Sequence, residues 1–233
     1  MNGVILAAGK GLRMRPLTDE IPKAMIEVKG KSLLERSMEN LKKAGIRKIG
    51  IVVGYKKEKI MNRFGNFFKG TKIEYFVQEK PIGTANAVYK AKDFVNGKDF
   101  IQVNGDVYFE HHIIDDLKKV RGFDAVLVGR KVHDPWNFGV LKVEANMVKG
   151  VIEKPEKGET TSRLVNAGIY KFSSKIFEAI EKTPLSSRKE YEITDSIKLL
   201  IGKGRVSWIP LSAGYSDVSD LKQLKEAEKI IVD

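Results

Sequence analysis

Residues 5–18 read ILAAGKGLRMRPLT, and this stretch decides how the chain begins to fold. The apolar run ILAA is typical of a buried strand, and Gly9 and Gly11 end it. Because glycine has no Cβ, phosphate oxygens can closely approach the backbone N–H groups of such a turn. Arg13 and Arg15 follow directly, with guanidinium groups that suit phosphate. The stretch therefore predicts a strand followed by an anion-binding turn.

The first half of the chain alternates short β-branched runs with amphipathic stretches. A helix is predicted in LLERSMENLKKAG, with Ser32 as its N-cap, Glu35 completing a capping box and Gly45 at its end. TANAVYKAKDF and IIDDLKKV predict further helices. The predicted strands are VILAA (4–8), KIGIVVGY (48–55), KIEYFVQ (72–78), FIQVNGD (100–106) and DAVLVGRKV (124–132). This alternation indicates an α/β fold with a Rossmann-like, mostly parallel sheet and helices on both faces.

From about residue 133 the predicted strands lie closer together. They are FGVLKV, VKGVIEKP and VNAGIYKF, and the predicted helices are SSKIFEAIEK, YEITDSIKLL and SDLKQLKEAEKII. No Pro- or Gly-rich linker separates the two halves of the chain. We therefore expect a single domain, residues 1–233, with one lobe at about 1–132 and a smaller mixed-sheet lobe at about 133–233.

Composition narrows the class of protein. The chain has 233 residues and no cysteine, which excludes disulfides and thiolate metal sites and suits a reducing cytoplasm. Its apolar runs fall short of the ~20 residues of a membrane span. The first strand begins within three residues of Met1, so no signal peptide is expected.

The net charge of +12 is compatible with nucleic-acid binding or with small phosphorylated substrates. Basic residues are interleaved with acidic ones, as in GYKKEKIMNRF, and no aromatic-rich RNA-binding signature is present. These features favour a solvated surface and small phosphates, and a salt-titrated binding test would identify a nucleic-acid-binding module. His111, His112 and His133 are not in metal-ligand spacing, and solvated loop or helix-start positions are expected for them.

The pattern from Leu6 to Glu35 is L-A-A-G-x-G-x-R-M-x-P-x-T…P-K-x-M-x-x-V-x-G-K-x-x-L-E. It resembles the signature of the sugar-1-phosphate nucleotidyltransferases, in particular the glucose-1-phosphate thymidylyltransferase and N-acetylglucosamine-1-phosphate uridylyltransferase branches. The resemblance continues through VQEKPIGTANAV, VNGDVYF, FGVLKV, VIEKP, VNAGIYKF, EYEITD and SDVSDLKQLKEAE. It implies that a sugar 1-phosphate attacks the α-phosphorus of a nucleoside triphosphate, giving a nucleotide sugar and pyrophosphate.

The resemblance also implies site residues. Arg13, Lys23 and Asp106 would be catalytic, and Asp106 with Asp217 would hold Mg²⁺, although YSDVSD departs from the family's usual W-x-D-V-G-T around Asp217. The implied nucleotide-binding residues are Leu6, Ala7, Ala8, Gly9, Gly11, Gln78, Gly83 and Thr84. The implied sugar-phosphate residues are Gly139, Glu153, Lys154, Asn166 and Arg188.

Gln78 and Gly83 match the pair that reads the base in the uridylyl- and thymidylyltransferases. A glutamine amide has a donor and an acceptor, which suits uracil or thymine, and a flipped amide suits cytosine. UTP or dTTP is therefore favoured. The alternatives are a cytidylyltransferase acting on inositol phosphate or another polyol phosphate, a guanylyltransferase acting on mannose 1-phosphate, and a catalytically silent regulatory member of the family.

Other properties of the protein are left open or expected from the sequence. The sequence does not determine the oligomeric state of the protein and is compatible with a homo-oligomer. The chain ends soon after Asp217 without the β-helix that some relatives append, so acetyltransferase activity is not expected.

Overall fold

The computed structural model describes residues 1–212 and 214–231, so Ala213, Val232 and Asp233 of the predicted domain lie outside the described residues. The strands are β1 (Asn2–Ala7), β2 (Glu27–Val28), β3 (Lys31–Ser32), β4 (Lys48–Val53), β5 (Phe67–Phe68), β6 (Thr71–Val77), β7 (Phe100–Asn104), β8 (Val107–Phe109), β9 (Ala125–Lys131), β10 (Gly139–Glu144), β11 (Met147–Glu153), β12 (Leu164–Phe172), β13 (Val206–Pro210) and β14 (Tyr215–Asp217). The helices are α1 (Leu17–Glu20), α2 (Leu33–Lys43), α3 (Lys57–Phe64), α4 (Thr84–Tyr89), α5 (Lys92–Val95), α6 (His111–Lys119), α7 (Lys175–Glu181), α8 (Ile193–Ile201) and α9 (Leu221–Ile230).

Within the described residues, a ten-stranded sheet has the order β10-β11-β13-β9-β12-β7-β1-β4-β6-β5. Strands β7, β1, β4 and β6 are parallel neighbours, as the alternating pattern predicts. The chain leaves β1 for β4 on one side and later returns to β7 on the other side. The carboxyl ends of β1 and β7 therefore form a topological switch point, the place where open α/β sheets bind ligands.

The strands of the second half continue this same sheet. β12 pairs antiparallel with β7 and with β9, whereas β13 pairs parallel with β9. β10 and β11 form the far edge as an antiparallel pair. The mixed pairing expected for this half is thus present, and it extends the first half's sheet rather than forming a separate layer.

Helices cover both faces of the sheet, as the sequence predicts. Alternate residues of β1 show this, because Ile5 is buried among residues of α2, α3 and α6, and Val4 is buried among residues of α4, α7 and α8. Continuous apolar strands such as β1 and β4 are typical of parallel sheets buried on both faces. None of the helices in residues 1–212 and 214–231 combines the length and apolar character that a membrane crossing requires.

Local signals placed some element ends well and missed others. Ser32 Oγ accepts the Glu35 N–H at 3.1 Å, and α2 ends with Gly45 at φ +80°, where the Ile46 N–H donates to the Leu41 carbonyl. The single helix predicted in TANAVYKAKDF is wrong, because the chain turns at Lys90–Ala91 and forms α4 and α5. Helix α3 and strand β13 were not predicted.

Candidate active site

Two adjoining cavities open at the carboxyl edge of the parallel strands. The first is lined by the end of β1 and by the residues that follow β6 and β7, including Leu6, Ala7, Ala8, Gly9, Lys23, Gln78, Gly83, Thr84, Asn104, Gly105 and Asp106. The second is lined by Arg13, Asp106, Gly139, Glu153, Lys154, Asn166, Tyr170, Glu190, Glu192, Thr194, Tyr215 and Asp217, among others. Asp106 lines both cavities and so marks their junction.

The glycine turn after β1 positions the cationic loop. Gly11 has φ +64° and precedes a 3-10 helix at Leu12–Met14, which carries Arg13 to the surface beside the second cavity. A Cβ at Gly11 would lie 2.9 Å from Lys23 Cβ. Gly11 is not among the residues that line the first cavity, and in the described structure it packs against the side chains of Lys23 and Thr18.

Lys23 and Asp106 form an ion pair at the junction of the cavities. Lys23 Nζ lies 2.5 Å from Asp106 Oδ2. Burial raises the pKa of the Asp106 carboxyl, but the charge of Lys23 and its hydrogen bond outweigh burial, and the pKa lies below its usual value. Asp106 is therefore ionised at neutral pH and faces a cation.

Asp217 reaches the same junction through a small antiparallel pairing. Strand β14 pairs with β8, and the Val218 N–H donates to the Asp106 carbonyl oxygen at 2.9 Å. The Ser219 hydroxyl donates to Asp217 Oδ1. Burial, and then the negative charge of Asp106, raise the pKa of Asp217. The second carboxylate thus lies close enough to the first to be repelled by it.

The donor set at this junction fits a hard divalent cation. Mg²⁺ prefers oxygen ligands and is commonly held by one or two carboxylates together with water and substrate phosphate. Asp106 and Asp217 offer carboxylate oxygens, and the positively charged ammonium group of Lys23 already contacts the carboxylate of Asp106. After burial, repulsion from Asp106 is the next cause of the raised pKa of Asp217, and a divalent ion bound at this junction would offset that repulsion.

The Gln78 amide is held in one orientation. Its Nε2 donates to the Gly83 carbonyl and to Asn86 Oδ1, both at 3.0 Å. A carbonyl can only accept, so the amide nitrogen must face Gly83. From the sequence alone, the Gln78 amide could adopt either orientation. In the structure, its contact with the Gly83 carbonyl disfavours the flipped one.

Glu153 occupies the wall of the second cavity beside Gly139. Thr194 Oγ1 donates to Glu153 Oε2 at 3.1 Å, and Lys154 Nζ lies 4.0 Å from Glu153 Oε1. Burial raises the pKa of the Glu153 carboxyl, which Lys154 and the Thr194 hydrogen bond only partly counteract. Glu153 is therefore a partly desolvated acceptor, suited to hydroxyl groups.

Asn166 and Arg188 lie in the same region with their polar groups already engaged. Asn166 Oδ1 accepts the Gly168 N–H at 2.9 Å, and its Nδ2 donates to the Tyr170 hydroxyl. Arg188 Nη1 lies 2.8 Å from Glu192 and 3.6 Å from Glu153. Four of the predicted sugar-phosphate residues line the second cavity, namely Gly139, Glu153, Lys154 and Asn166. Arg188 is not among the lining residues, but it contacts the carboxylates of Glu153 and Glu192, which are.

Thr84 lines both cavities, and Glu192, to which the sequence assigned no role, lines the second. Burial, and then the charge of Glu153, raise the pKa of Glu192. Thr84 Oγ1 accepts the Ile193 N–H at 2.9 Å and so ties α4 to the first turn of α8. The segment EYEITD (residues 190–195) contains Glu192 and was part of the family resemblance, but in this region a site role was predicted only for Arg188, which precedes the segment.

Arg130 was also missed, because it follows an ordinary buried strand pattern. Its guanidinium lies 4.9 Å from the Phe138 ring centre and 5.1 Å from that of Tyr215. Arg130 Nη2 is 3.8 Å from Asp217 Oδ2. Arg130 therefore places a positive charge beside the Asp217 carboxylate and packs against two aromatic rings. Its proximity to Asp217 depends on the fold and not on the local sequence.

None of the three histidines is among the residues that line the two cavities. His111 and His112 begin α6, as expected, but with Asp115 one turn later they bring potential metal-ligand atoms within 4.8 Å of one another. This grouping depends on Asp115 and does not include His133. Asp115 is engaged by Lys118 at 2.8 Å, and we assign the cluster no role.

A family model described as "Nucleotidyl transferase" matches residues 2–233. The chain is 42% identical over 234 residues to the bifunctional protein GlmU of Methanocaldococcus jannaschii, covering 100% of this chain and 55% of GlmU. It spans about half the length of the GlmU proteins that it matches. It is also 37% identical to the UTP–glucose-1-phosphate uridylyltransferase AglF of Haloferax volcanii, covering 98% of this chain and 96% of AglF.

Solved structures agree with these relatives. A putative glucose-1-phosphate thymidylyltransferase from Bacillus anthracis, solved with sucrose, superposes with a TM-score of 0.88 at 27% identity, covering 98% of this chain and 94% of that one. Together these findings confirm the resemblance inferred from the motifs and the α/β fold class.

Proposed function

Because the chain belongs to the nucleotidyl transferase family, we propose that it joins a nucleoside triphosphate to a sugar 1-phosphate and releases pyrophosphate. The observation that carries the proposal is the meeting of Lys23, Asp106 and Asp217 at the junction of two cavities. One cavity begins at a glycine turn suited to a nucleotide, and the other holds Glu153 and Lys154, suited to a sugar and its phosphate.

The proposed chemistry needs positioning and charge neutralisation rather than a general base. A phosphate monoester has a second pKa of about 6, so its attacking oxygen is already anionic at pH 7. That oxygen would attack the α-phosphorus in line, and the bond to pyrophosphate would break. Arg13 and Lys23 would neutralise the triphosphate, while Lys154 and Arg188 would hold the incoming phosphate against the repulsion of two anions.

We propose that Asp106 and Asp217 hold Mg²⁺, which would polarise the phosphoryl oxygens when bound. The raised pKa of Asp217 and the proximity of two carboxylates support this assignment. When the triphosphate binds, the flexible Lys23 side chain would move from the Asp106 carboxylate to the triphosphate, because both groups are anions within its reach. The proposed location is the cytoplasm, where nucleoside triphosphates are available.

The base would be uracil or thymine. Gln78 lies in the first cavity with both amide hydrogens donated to Gly83 and Asn86, which leaves Oε1 as its acceptor. Uracil and thymine carry an N3–H that can donate to such an oxygen, whereas N3 of cytosine is itself an acceptor. A similar preference is printed in the name of AglF, a UTP–glucose-1-phosphate uridylyltransferase.

A pyrophosphate-release assay tests the proposal. UTP, dTTP, CTP, GTP and ATP are each combined with glucose 1-phosphate, N-acetylglucosamine 1-phosphate, mannose 1-phosphate and an inositol phosphate. We expect release only when both substrates are present, fastest with UTP or dTTP, and lost in Asp106→Asn. Release with CTP and the polyol phosphate, or with GTP and mannose 1-phosphate, would favour those alternatives. No release from any combination would reject the catalytic proposal.

A further inference from the structure

We propose that Asn86 is a specificity-determining positioning residue. Together with the Gly83 carbonyl, it would hold the Gln78 amide so that only the amide oxygen faces the nucleotide cavity, and so discriminate uracil and thymine from cytosine. This inference rests on the proposed function and adds to it a residue that does not touch the nucleotide.

Gln78 is placed where its amide orientation has consequences. It follows β6 directly, is 6% exposed and lines the nucleotide cavity. Its backbone N–H donates to the Val53 carbonyl at 2.8 Å, which fixes the main chain at the end of the parallel sheet. The remaining freedom of this residue is therefore the side-chain amide.

Both hydrogens of that amide are used inside the protein. One is donated to the Gly83 carbonyl and the other to Asn86 Oδ1, each at 3.0 Å. A flipped amide would set Gln78 Oε1 against the Gly83 carbonyl oxygen, two acceptors facing each other, which leaves a buried group unsatisfied. Gly83 thus sets the sense of the amide and Asn86 provides its second anchor.

Asn86 acts from behind Gln78. It lies in the first turn of α4, half-buried, and the residues that line the cavity include its neighbour Ala87 but not Asn86 itself. Helix α4 is held in turn by the Ala85 N–H, which donates to the Tyr191 carbonyl at 2.8 Å. Asn86 is therefore anchored by the fold and can position Gln78 without contacting substrate.

The consequence is an acceptor-only base reader. An Oε1 aligned with ring position 3 would accept from N3–H of uracil or thymine, whereas cytosine has a lone pair at N3 and its only donor on that edge is the N4 amino group. Loss of Asn86 leaves the Gly83 contact as the single restraint and makes the flipped amide, which donates to cytosine N3, easier to reach. The selectivity ratio should then fall by about two- to tenfold, the factor that corresponds to one neutral hydrogen bond.

The test compares kcat/KM for UTP and CTP, with a fixed sugar 1-phosphate, in four proteins: wild type, Asn86→Ala, Asn86→Asp and Tyr89→Phe. Asn86→Asp keeps an acceptor at the same place and should keep most of the selectivity. Tyr89→Phe removes the bond from the same helix to Glu181 at 2.9 Å, remote from Gln78, and should leave the ratio unchanged. Dissociation constants for UTP and CTP without sugar phosphate should follow the same order.

We expect the UTP:CTP ratio to fall in Asn86→Ala and to be rescued in Asn86→Asp. An unchanged ratio in Asn86→Ala, or an equal loss for UTP and CTP, would overturn the role of Asn86, because a merely structural defect affects both nucleotides alike. An equal fall of the ratio in both Asn86 variants would also overturn it. A wild type that turns over no nucleoside triphosphate would instead reject the proposed function, and one that turns over CTP or GTP but neither UTP nor dTTP would overturn the preference for uracil or thymine on which this inference rests.

Discussion

Replacing Lys23 by methionine should destabilise the chain when divalent metal is absent and much less when Mg²⁺ is saturating. The side chains of Lys23 and Asp106 are 12% and 32% exposed, which places their ion pair between the buried and the solvated case. Breaking a buried pair costs about 3–5 kcal/mol, whereas exposed pairs contribute about 0–1 kcal/mol. We therefore expect Lys23→Met to lower the free energy of unfolding by about 1–3 kcal/mol, with Tm falling by roughly 2–4 °C per kcal/mol.

The measurement is urea denaturation of wild type, Lys23→Met, Asp106→Asn and the double variant, with EDTA and with saturating MgCl₂. The effect of Lys23→Met should be much smaller in the Asp106→Asn background, because the direct partner of Lys23 is then neutral and only its attraction to Asp217 remains. It should also fade as the pH falls below the usual carboxyl value of 3.8, since a lowered pKa contributes stability above that value and loses it below. An equal loss in both backgrounds, or no recovery in Mg²⁺, would refute the reasoning.

Other substitutions separate function from stability. Arg13→Ala should lower kcat about 10²–10³-fold in the pyrophosphate assay while Tm barely changes, because Arg13 is an exposed loop cation. Glu153→Gln should lower kcat/KM about 10–100-fold. It should nevertheless raise the free energy of unfolding at pH 7, because the raised pKa makes the charged carboxylate unfavourable above about 4.5; that gain should disappear at pH 4 and below. Gly83→Ala should cost about 2–4 kcal/mol in urea denaturation, because φ is +119° and the new Cβ would overlap the Tyr191 backbone.

The sequence could predict elements whose signals are local. The cap at Ser32 and the glycine at the end of α2 act within a few residues, so their geometry follows from the residue types. The glycine turn after β1 is similar, because glycine adopts the φ of +64° at Gly11 without strain. The family resemblance then supplied the candidate site residues that no local pattern could connect.

The sequence could not predict contacts that depend on distant segments. Lys23 and Asp106 are 83 residues apart, and their ion pair exists because the loop after β1 folds back over the end of β7. The proximity of Arg130 to Asp217 likewise requires β9 and β14 to be in place. The orientation of the Gln78 amide depends on a backbone carbonyl, which no residue type at position 83 would reveal.

The departures from the family pattern around Asp217 have local physical roles. The Tyr215 hydroxyl donates to the Ala167 carbonyl at 2.8 Å, a bond to β12 that joins the segment carrying Asp217 to the wall of the second cavity. The Ser219 hydroxyl donates to Asp217 itself, and Asp220 caps α9 by accepting the Gln223 N–H at 2.8 Å. Each replacement therefore supplies a hydrogen bond that restrains the segment carrying the carboxylate. Because these bonds hold Asp217 beside Asp106 even though burial and repulsion raise its pKa, the altered motif supports a cation site instead of arguing against one.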